Sequence, residues 1–299
     1  MAMKKKRKKR KKKATRTGRG VVGRLGKRYE LTDDAWDRIE PMLPRQQRDG
    51  QWADHRTVLN GMFWVLNSWA QWRDMPDRYG KWQTVYGRYR RWMREELFDR
   101  ILHRLTWSLM MPAALTGAFS MLMDRIFVRT ARLRSVQKTR KNRASEPGDF
   151  ALGRSRGGFG TKFHLVTDGN GVPLGALVTA GQTHESKLFE QLMDTVHIRQ
   201  RRRPGAVAGD KGYSYPRIRK WLSLHGVEAV IPSRSNQPQV KLDKRKYRRR
   251  NVVERCIGWL KEARHVATRY EKLAIHYLAM LKLAMIQRCI RLLDPSNRI

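Results

Sequence analysis

Apolar positions along the chain change period near residue 115. Before that point they recur at spacings of three and four, the repeat of a helix packed on one side. Thr32 followed by Asp33 and Asp34 reads as an N-cap with acids in the first turn. Trp36, Ile39, Met42 and Leu43 continue that helix, and Pro44 stops it. A second helix is expected from about His55 to Gln71, with Val58, Met62, Val65, Leu66 and Trp69 inward. After a turn at Trp72–Pro76, a third is expected from about Trp82 to Leu105, carrying Val85, Tyr89, Trp92, Met93 and Leu97 inward.

Beyond Leu115 the alternation is that of strands. Leu122, Asp124, Ile126 and Val128 alternate with Met121, Met123 and Phe127, which predicts a strand. Residues 130–153 are polar and basic and read as a loop. The runs 161–167 and 172–178 flank Asp168-Gly169-Asn170-Gly171, a hairpin signal. A helix at about Ser186 to Val196, a short buried strand at Ala206–Gly209, a helix at about Tyr215 to His225 and a strand at Glu228 to Ile231 follow. Helices are expected from about Tyr247 to the end.

Charge narrows the partners. The chain has 299 residues, with 65 Lys and Arg against 26 Asp and Glu, a formal charge of +39. Residues 1–28 hold 15 of those cations and no acid, including the unbroken run Lys4 to Lys13, so they are expected to form a disordered basic arm. The rest of the chain remains strongly basic, which favours a polyanion, nucleic acid first. Lys81, Gln83, Thr84, Tyr86, Arg88, Arg90 and Arg91 on the third helix suit groove and phosphate contact in a helix-turn-helix arrangement. Cys256 and Cys289 lie in apolar helical patterns, without metal-ligand spacing or a disulfide framework, which fits a reducing compartment. No apolar run reaches the roughly 18 residues of a membrane span.

The most specific pattern lies near the C-terminus. Tyr247, Arg250, Glu254 and Lys261 are spaced by three, four and seven. On one continuous helix they fall within about 60° of one another. Val252, Val253, Cys256, Ile257 and Leu260 take the opposite side. A carboxylate among phosphate-binding groups is what metal-dependent phosphoryl transfer requires. Asp124, inside an apolar strand, and Asp210, at the carboxyl end of a buried strand, supply two further acids.

The spacing Tyr, Arg, Glu, Lys resembles the signature around the last acid of insertion-sequence DDE transposases. Arg250-Asn251-Val252-Val253-Glu254-Arg255 and Ala267-Thr268-Arg269-Tyr270-Glu271-Lys272 are similar to the insertion-sequence-five branch of that superfamily, as are residues 153–158, 181–186 and 231–236. The resemblance implies an α/β fold. A ribonuclease H-like mixed-sheet catalytic domain over 118–290 would follow an all-α, helix-turn-helix-like DNA-binding domain over 29–115. It implies a catalytic and metal-binding trio of Asp124, Asp210 and Glu254, holding two Mg²⁺ ions for which Mn²⁺ would substitute. DNA contacts would come from Tyr247, Arg250, Lys261, Lys211, Arg156, His184, Arg88 and Arg91. The implied activity is cutting the ends of an insertion sequence and joining its 3′-hydroxyls to target DNA. Double-stranded DNA, as terminal inverted repeats and target, is then the partner, with a homodimer or larger synaptic complex and no membrane. The implied location is cytoplasmic and nucleoid-associated, or nuclear if Lys4–Lys13 acts as a targeting signal.

Three departures stand out. Arg125 follows the first Asp where a small hydroxylic residue is usual, Glu185 stands where Asp is usual, and Ser214 replaces the Asp of the Lys-Gly-Tyr motif. Two other readings use the same residues: a DNA-binding regulator descended from a transposase, and a structure-selective nuclease that cuts without joining.

Overall fold

The computed structural model describes residues 28–45, 53–115, 125–134, 150–155, 158–196, 204–297 and 299. Its first part is helical: α1 (Asp33–Ile39), α2 (His55–Ser68), α3 (Trp82–Arg94) and α4 (Leu97–Leu115). The Thr32 hydroxyl accepts from the Ala35 N–H, and Asp54 caps α2 through the Thr57 N–H. Ile39, Val58, Met62, Val65, Leu66, Val85, Tyr89, Trp92 and Leu97 are buried as the periodicity requires.

Two helical expectations change. The single helix from Trp82 to Leu105 is two, broken at Glu95–Glu96, where Glu96 takes a positive φ of 53°. The second helix ends at Ser68, because Trp69 caps it in the left-handed region at φ 66°. That turn swings Trp69 outward, so it is 52% exposed instead of inward.

The second part is a mixed sheet. The strands are β1 (Arg125–Arg134), β2 (Gly153–Ser155), β3 (Gly158–Thr167), β4 (Pro173–Ala180), β5 (Ala206–Gly209) and β6 (Glu228–Val230). β3 lies antiparallel between β1 and β4, with the short β2 continuing the β4 edge. β5 pairs parallel to β1, and β6 parallel to β5. The main order is thus β4-β3-β1-β5-β6, three antiparallel strands extended by two parallel ones, which is the ribonuclease H-like arrangement. Short helices connect the later strands: α5 (Phe189–Asp194) and α6 (Pro216–Leu224).

β1 runs further than its polar sequence predicts. Residues 130–134, expected in a loop, pair with Gly160 through His164 of β3. Backbone pairing, not side-chain polarity, sets that boundary. Residues 121–124, expected in the same strand, and the basic arm up to residue 27 lie outside the described residues.

The C-terminal helices are α7 (Lys244–Arg248), α8 (Asn251–Glu262), α9 (Arg264–Ala267) and α10 (Ala274–Leu293). α8 lies on β1 and β3, and α10 packs against α4, β4 and α2. One apolar cluster therefore runs from the first helices into the sheet. Polar ties cross the same boundary. The Tyr89 hydroxyl donates to the His276 carbonyl at 2.6 Å, and the Asn67 and Gln287 amides pair at 3.3 Å.

Candidate active site

Asp210 follows the buried strand β5 and begins the turn Lys211–Tyr213. Its Oδ1 accepts the Gly212 N–H at 2.8 Å, leaving the other oxygen uncommitted to that turn. Lys211 beside it is exposed. The turn is held from outside: Arg234 Nε donates to the Lys211 carbonyl at 3.0 Å, and the Gln237 amide closes on both Ser214 Oγ and the Ser214 carbonyl. Ser214 is fully buried in that clasp, which accounts for a small hydroxyl at this position.

A second carboxylate stands next to Asp210. A Cβ on Gly212 would lie 2.3 Å from Glu185 Oε1 and 2.8 Å from Asp210 Oδ1. Glu185 is matched by Lys162, 3.8 Å away on β3, whose ammonium also donates to the Thr183 carbonyl. Lys162 is 5% exposed, so the pair is largely shielded from water. The sequence marked Glu185 only as a departure and did not mark Lys162. The one signal for Lys162 was a cation inside the apolar run 161–167.

His184 belongs to the same group of loops. Its Nδ1 accepts the Ser186 N–H at 3.2 Å, and its Nε2 faces Tyr215 Oη at 3.5 Å. Arg234 lies over the Tyr215 ring, 4.7 Å from its centre.

The last acid comes from a different element, α8. Val252, Val253, Cys256, Ile257 and Leu260 are all buried beneath α8, as the stripe predicts. The one-helix premise needs correction: Tyr247 lies on α7, and Arg250 is the residue before α8. Between them the backbone bonds shorten to the i→i+3 type, Arg250 N–H to the Tyr247 carbonyl and Val253 N–H to the Arg250 carbonyl. Tyr247, Arg250 and Glu254 still meet. The Arg250 guanidinium is 5.2 Å over the Tyr247 ring and 3.3 Å from Glu254. Lys261 is half-buried in the last turn of α8.

Of the two α3 arginines expected at DNA, Arg91 is exposed, whereas Arg88 turns back. Its NH1 sits 2.7 Å from His55 Nδ1 and its guanidinium lies near the Trp92 ring. Burial, and then the nearby Arg91 charge, lower the Arg88 pKa. Asp124 and Arg156 lie outside the described residues. Among the described residues, no three His, Cys, Asp or Glu side chains gather as a metal site.

Two family models match the chain: a putative transposase of the IS4/5 family over residues 31–102, and a transposase DDE domain over residues 121–287. The putative transposase for insertion sequence element IS402 of Burkholderia cepacia is 33% identical over 175 residues, 56% of this chain and 80% of that protein. The IS402 uncharacterized 16.2 kDa protein of the same organism is 31% identical over 114 residues, covering 36% of this chain and 74% of its own length. Among solved structures, the Mos1 strand transfer complex aligns over 85% of this chain and 80% of that one, at 12% identity and a TM-score of 0.31. At that distance the fold stands on the strand order alone. With the DDE domain model spanning more than half of its length and a transposase relative matched over most of its own, this protein belongs to the insertion-sequence DDE transposases.

Proposed function

We propose that the chain cuts DNA at the ends of an insertion sequence and joins the freed 3′-hydroxyls to target DNA. The observation that carries this reading is Asp210, a carboxylate at the carboxyl end of a buried strand beside an exposed lysine, where sites in open α/β sheets gather. Asp124, before Asp210 in the chain, and Glu254, after it, complete the trio.

These are hard oxygen donors, suited to Mg²⁺ or Mn²⁺. Asp210 keeps one oxygen outside its turn, and the Glu254 side chain is 37% exposed, so both fit as ligands. Two such ions would activate the attacking oxygen and stabilise the leaving one. Water attacks phosphorus at the element end, and the 3′-oxygen leaves with a proton. That 3′-hydroxyl then attacks a target phosphodiester, whose own 3′-oxygen leaves.

The chain's other residues hold the DNA. Lys211, Arg250 and Lys261 meet phosphates beside the scissile bond, and Tyr247 steadies Arg250. The helical segment 29–115 binds the terminal repeats through the exposed Lys81, Arg90 and Arg91 of α3 and its approach. Two ends must be paired, so the working form is a dimer or larger assembly on DNA.

The test incubates the full chain with its own gene, flanking DNA and a target plasmid, in Mg²⁺ and in EDTA, beside Asp210→Asn. Joined products are expected only with Mg²⁺ and only with Asp210. DNA binding without cutting over several divalent ions would overturn the reading in favour of a regulator.

A further inference from the structure

β4 leads into a short helical turn, Glu185–Leu188, which packs against the turn Lys211–Tyr213 that follows Asp210. The proposed reaction leaves Glu185 without a task. Gly212 is where the two turns meet. A Cβ there would overlap Glu185 Oε1 and lie 2.8 Å from Asp210 Oδ1, so these two oxygens flank one bare Cα.

Two carboxylates that close repel each other unless a cation answers them. Lys162 answers one. It is 5% exposed on β3, stands 3.8 Å from Glu185 Oε2 and donates to the Thr183 carbonyl at 2.7 Å. A buried ammonium is costly and persists only where its partners offset that cost. Here it fixes the far oxygen of Glu185 and the loop that carries it. The near oxygen, Oε1, takes no hydrogen bond among the described residues, and the Glu185 side chain is 22% exposed, open to solvent.

Asp210 is arranged in the same way. Its Oδ1 takes the Gly212 N–H at 2.8 Å, and its other oxygen lies outside that bond. Two carboxylates therefore face one turn, each with one oxygen fixed by the protein and the other left over. Mg²⁺ gives up its waters reluctantly, so those kept at a protein site need acceptors. An outer carboxylate that accepts from them orients the site and raises its affinity.

We propose that Glu185, held by Lys162, is a positioning residue of this kind. Its Oε1 accepts from a water on the divalent ion that Asp210 would bind. Glu185 does not replace Asp124 or Glu254. The inference rests on the metal reading of Asp210 given above and adds a residue to that site. A pair with a purely structural role would stabilise the fold and leave the ion's affinity alone, so the two roles separate by experiment.

The full chain is titrated with Mn²⁺, and free Mn²⁺ is followed by electron paramagnetic resonance. The wild type should show a site that Asp210→Asn removes. Glu185→Gln should weaken that site about tenfold. Glu185→Asp, which keeps the charge, should recover most of the loss. Glu185→Gln also leaves the Lys162 ammonium unpaired, so its melting temperature should fall. The double variant Lys162→Met, Glu185→Gln removes both charges. It should melt closer to the wild type and still bind Mn²⁺ about tenfold more weakly. Wild-type affinity in Glu185→Gln, or affinity that returns with stability in the double variant, overturns the inference and leaves the transposase reading standing. An Asp210→Asn chain that binds Mn²⁺ as the wild type does overturns the metal reading of Asp210, and this inference with it.

Discussion

Arg250 is the clamp on Glu254: its guanidinium stands 3.3 Å from that carboxylate and 5.2 Å over the Tyr247 ring. It bridges the short break between α7 and α8, so the angle of the catalytic candidate depends on a residue outside its own helix. Both partners are about a third exposed, where an ion pair adds only about 0–1 kcal/mol. The contact therefore matters for position more than for stability. Arg250→Ala should leave the melting temperature within a degree or two and slow end cleavage about tenfold or more. Arg250→Lys, which keeps charge but loses the planar fork, should fall between. Wild-type cleavage in the Ala variant would remove Arg250 from the site.

Lys261 lies two turns along the same helix as Glu254 and is half-buried. If it neutralises a phosphate, Lys261→Ala should weaken binding to every DNA sequence alike. The slope of log affinity against log salt should then fall by about one. Titrations at several salt concentrations measure this directly, and an unchanged slope would take Lys261 out of the DNA contacts.

What could be read from the sequence follows from which signals are local. The β3–β4 hairpin was legible because strand alternation flanks a turn that Asp168 closes on itself, accepting the Asn170 and Val172 N–H groups at 2.8 Å. The buried stripe of α8 and the strand before Asp210 were legible for the same reason. Breaks inside long helices were not, because Glu96 and the Arg249–Arg250 step are conformations that ordinary residues adopt under tertiary packing. Neither was Trp69, whose spacing fits an inward position until its left-handed cap turns it out. At the site, Asp210 was legible from its place after an apolar strand. Its neighbours Glu185 and Lys162 come from other elements, and only the fold brings them together.

The same hairpin makes a prediction about acid stability. Asp168 is 3% exposed, and burial raises its carboxyl to about 6 even though backbone N–H groups oppose the shift. A group with a raised folded pKa contributes stability that is full below its unfolded value near 4 and lost as pH rises through about 6. Asp168→Asn should therefore stabilise the protein at pH 7 by roughly 2–3 kcal/mol relative to wild type, an advantage that vanishes near pH 4. His164 on β3 works in the opposite sense. Burial lowers it to about 4, so its contribution is full above about 6.5 and lost toward pH 4. The two opposing terms keep the wild type flatter with pH than the Asn variant. Denaturant unfolding of both at pH 7 and pH 4.5 checks this; a constant difference would place the Asp168 titration elsewhere.

Arg269 is fully buried, and among the described residues no carboxylate pairs with its guanidinium. Its guanidinium donates to the carbonyls of Phe150, Ala151, Glu271 and Lys272 and to the Thr161 hydroxyl, tying the approach to α10 to β3. Lysine has three donors on a single nitrogen and cannot span those acceptors. Arg269→Lys should cost about 3 kcal/mol, because several buried carbonyls lose their partners at once. A loss below about 1 kcal/mol in chemical denaturation would mean that water or a rearranged loop satisfies them.

Gly212 offers the sharpest probe of whether Asp210 is at the chemistry. A methyl group there would stand 2.3 Å from Glu185 Oε1 and 2.8 Å from Asp210 Oδ1. Both atoms end side chains that can rotate away, so the fold should survive with a loss under about 1 kcal/mol. The carboxylate cannot keep its present direction, however, because its bond to the Gly212 N–H is what the methyl crowds. A shift of about 1 Å in a catalytic group is enough to cost about 100-fold in rate. Gly212→Ala should therefore melt near the wild-type temperature, bind duplex DNA normally, and cut element ends at least tenfold more slowly. Gly175→Ala is the contrasting case: its methyl would meet Thr195 Oγ1 at 2.1 Å and the Thr195 carbonyl at 3.1 Å, under β4 and away from Asp210. That change should lower the melting temperature, with cleavage per folded molecule kept. If Gly212→Ala cuts at the wild-type rate, Asp210 orients a loop and the acids that matter lie elsewhere on the sheet.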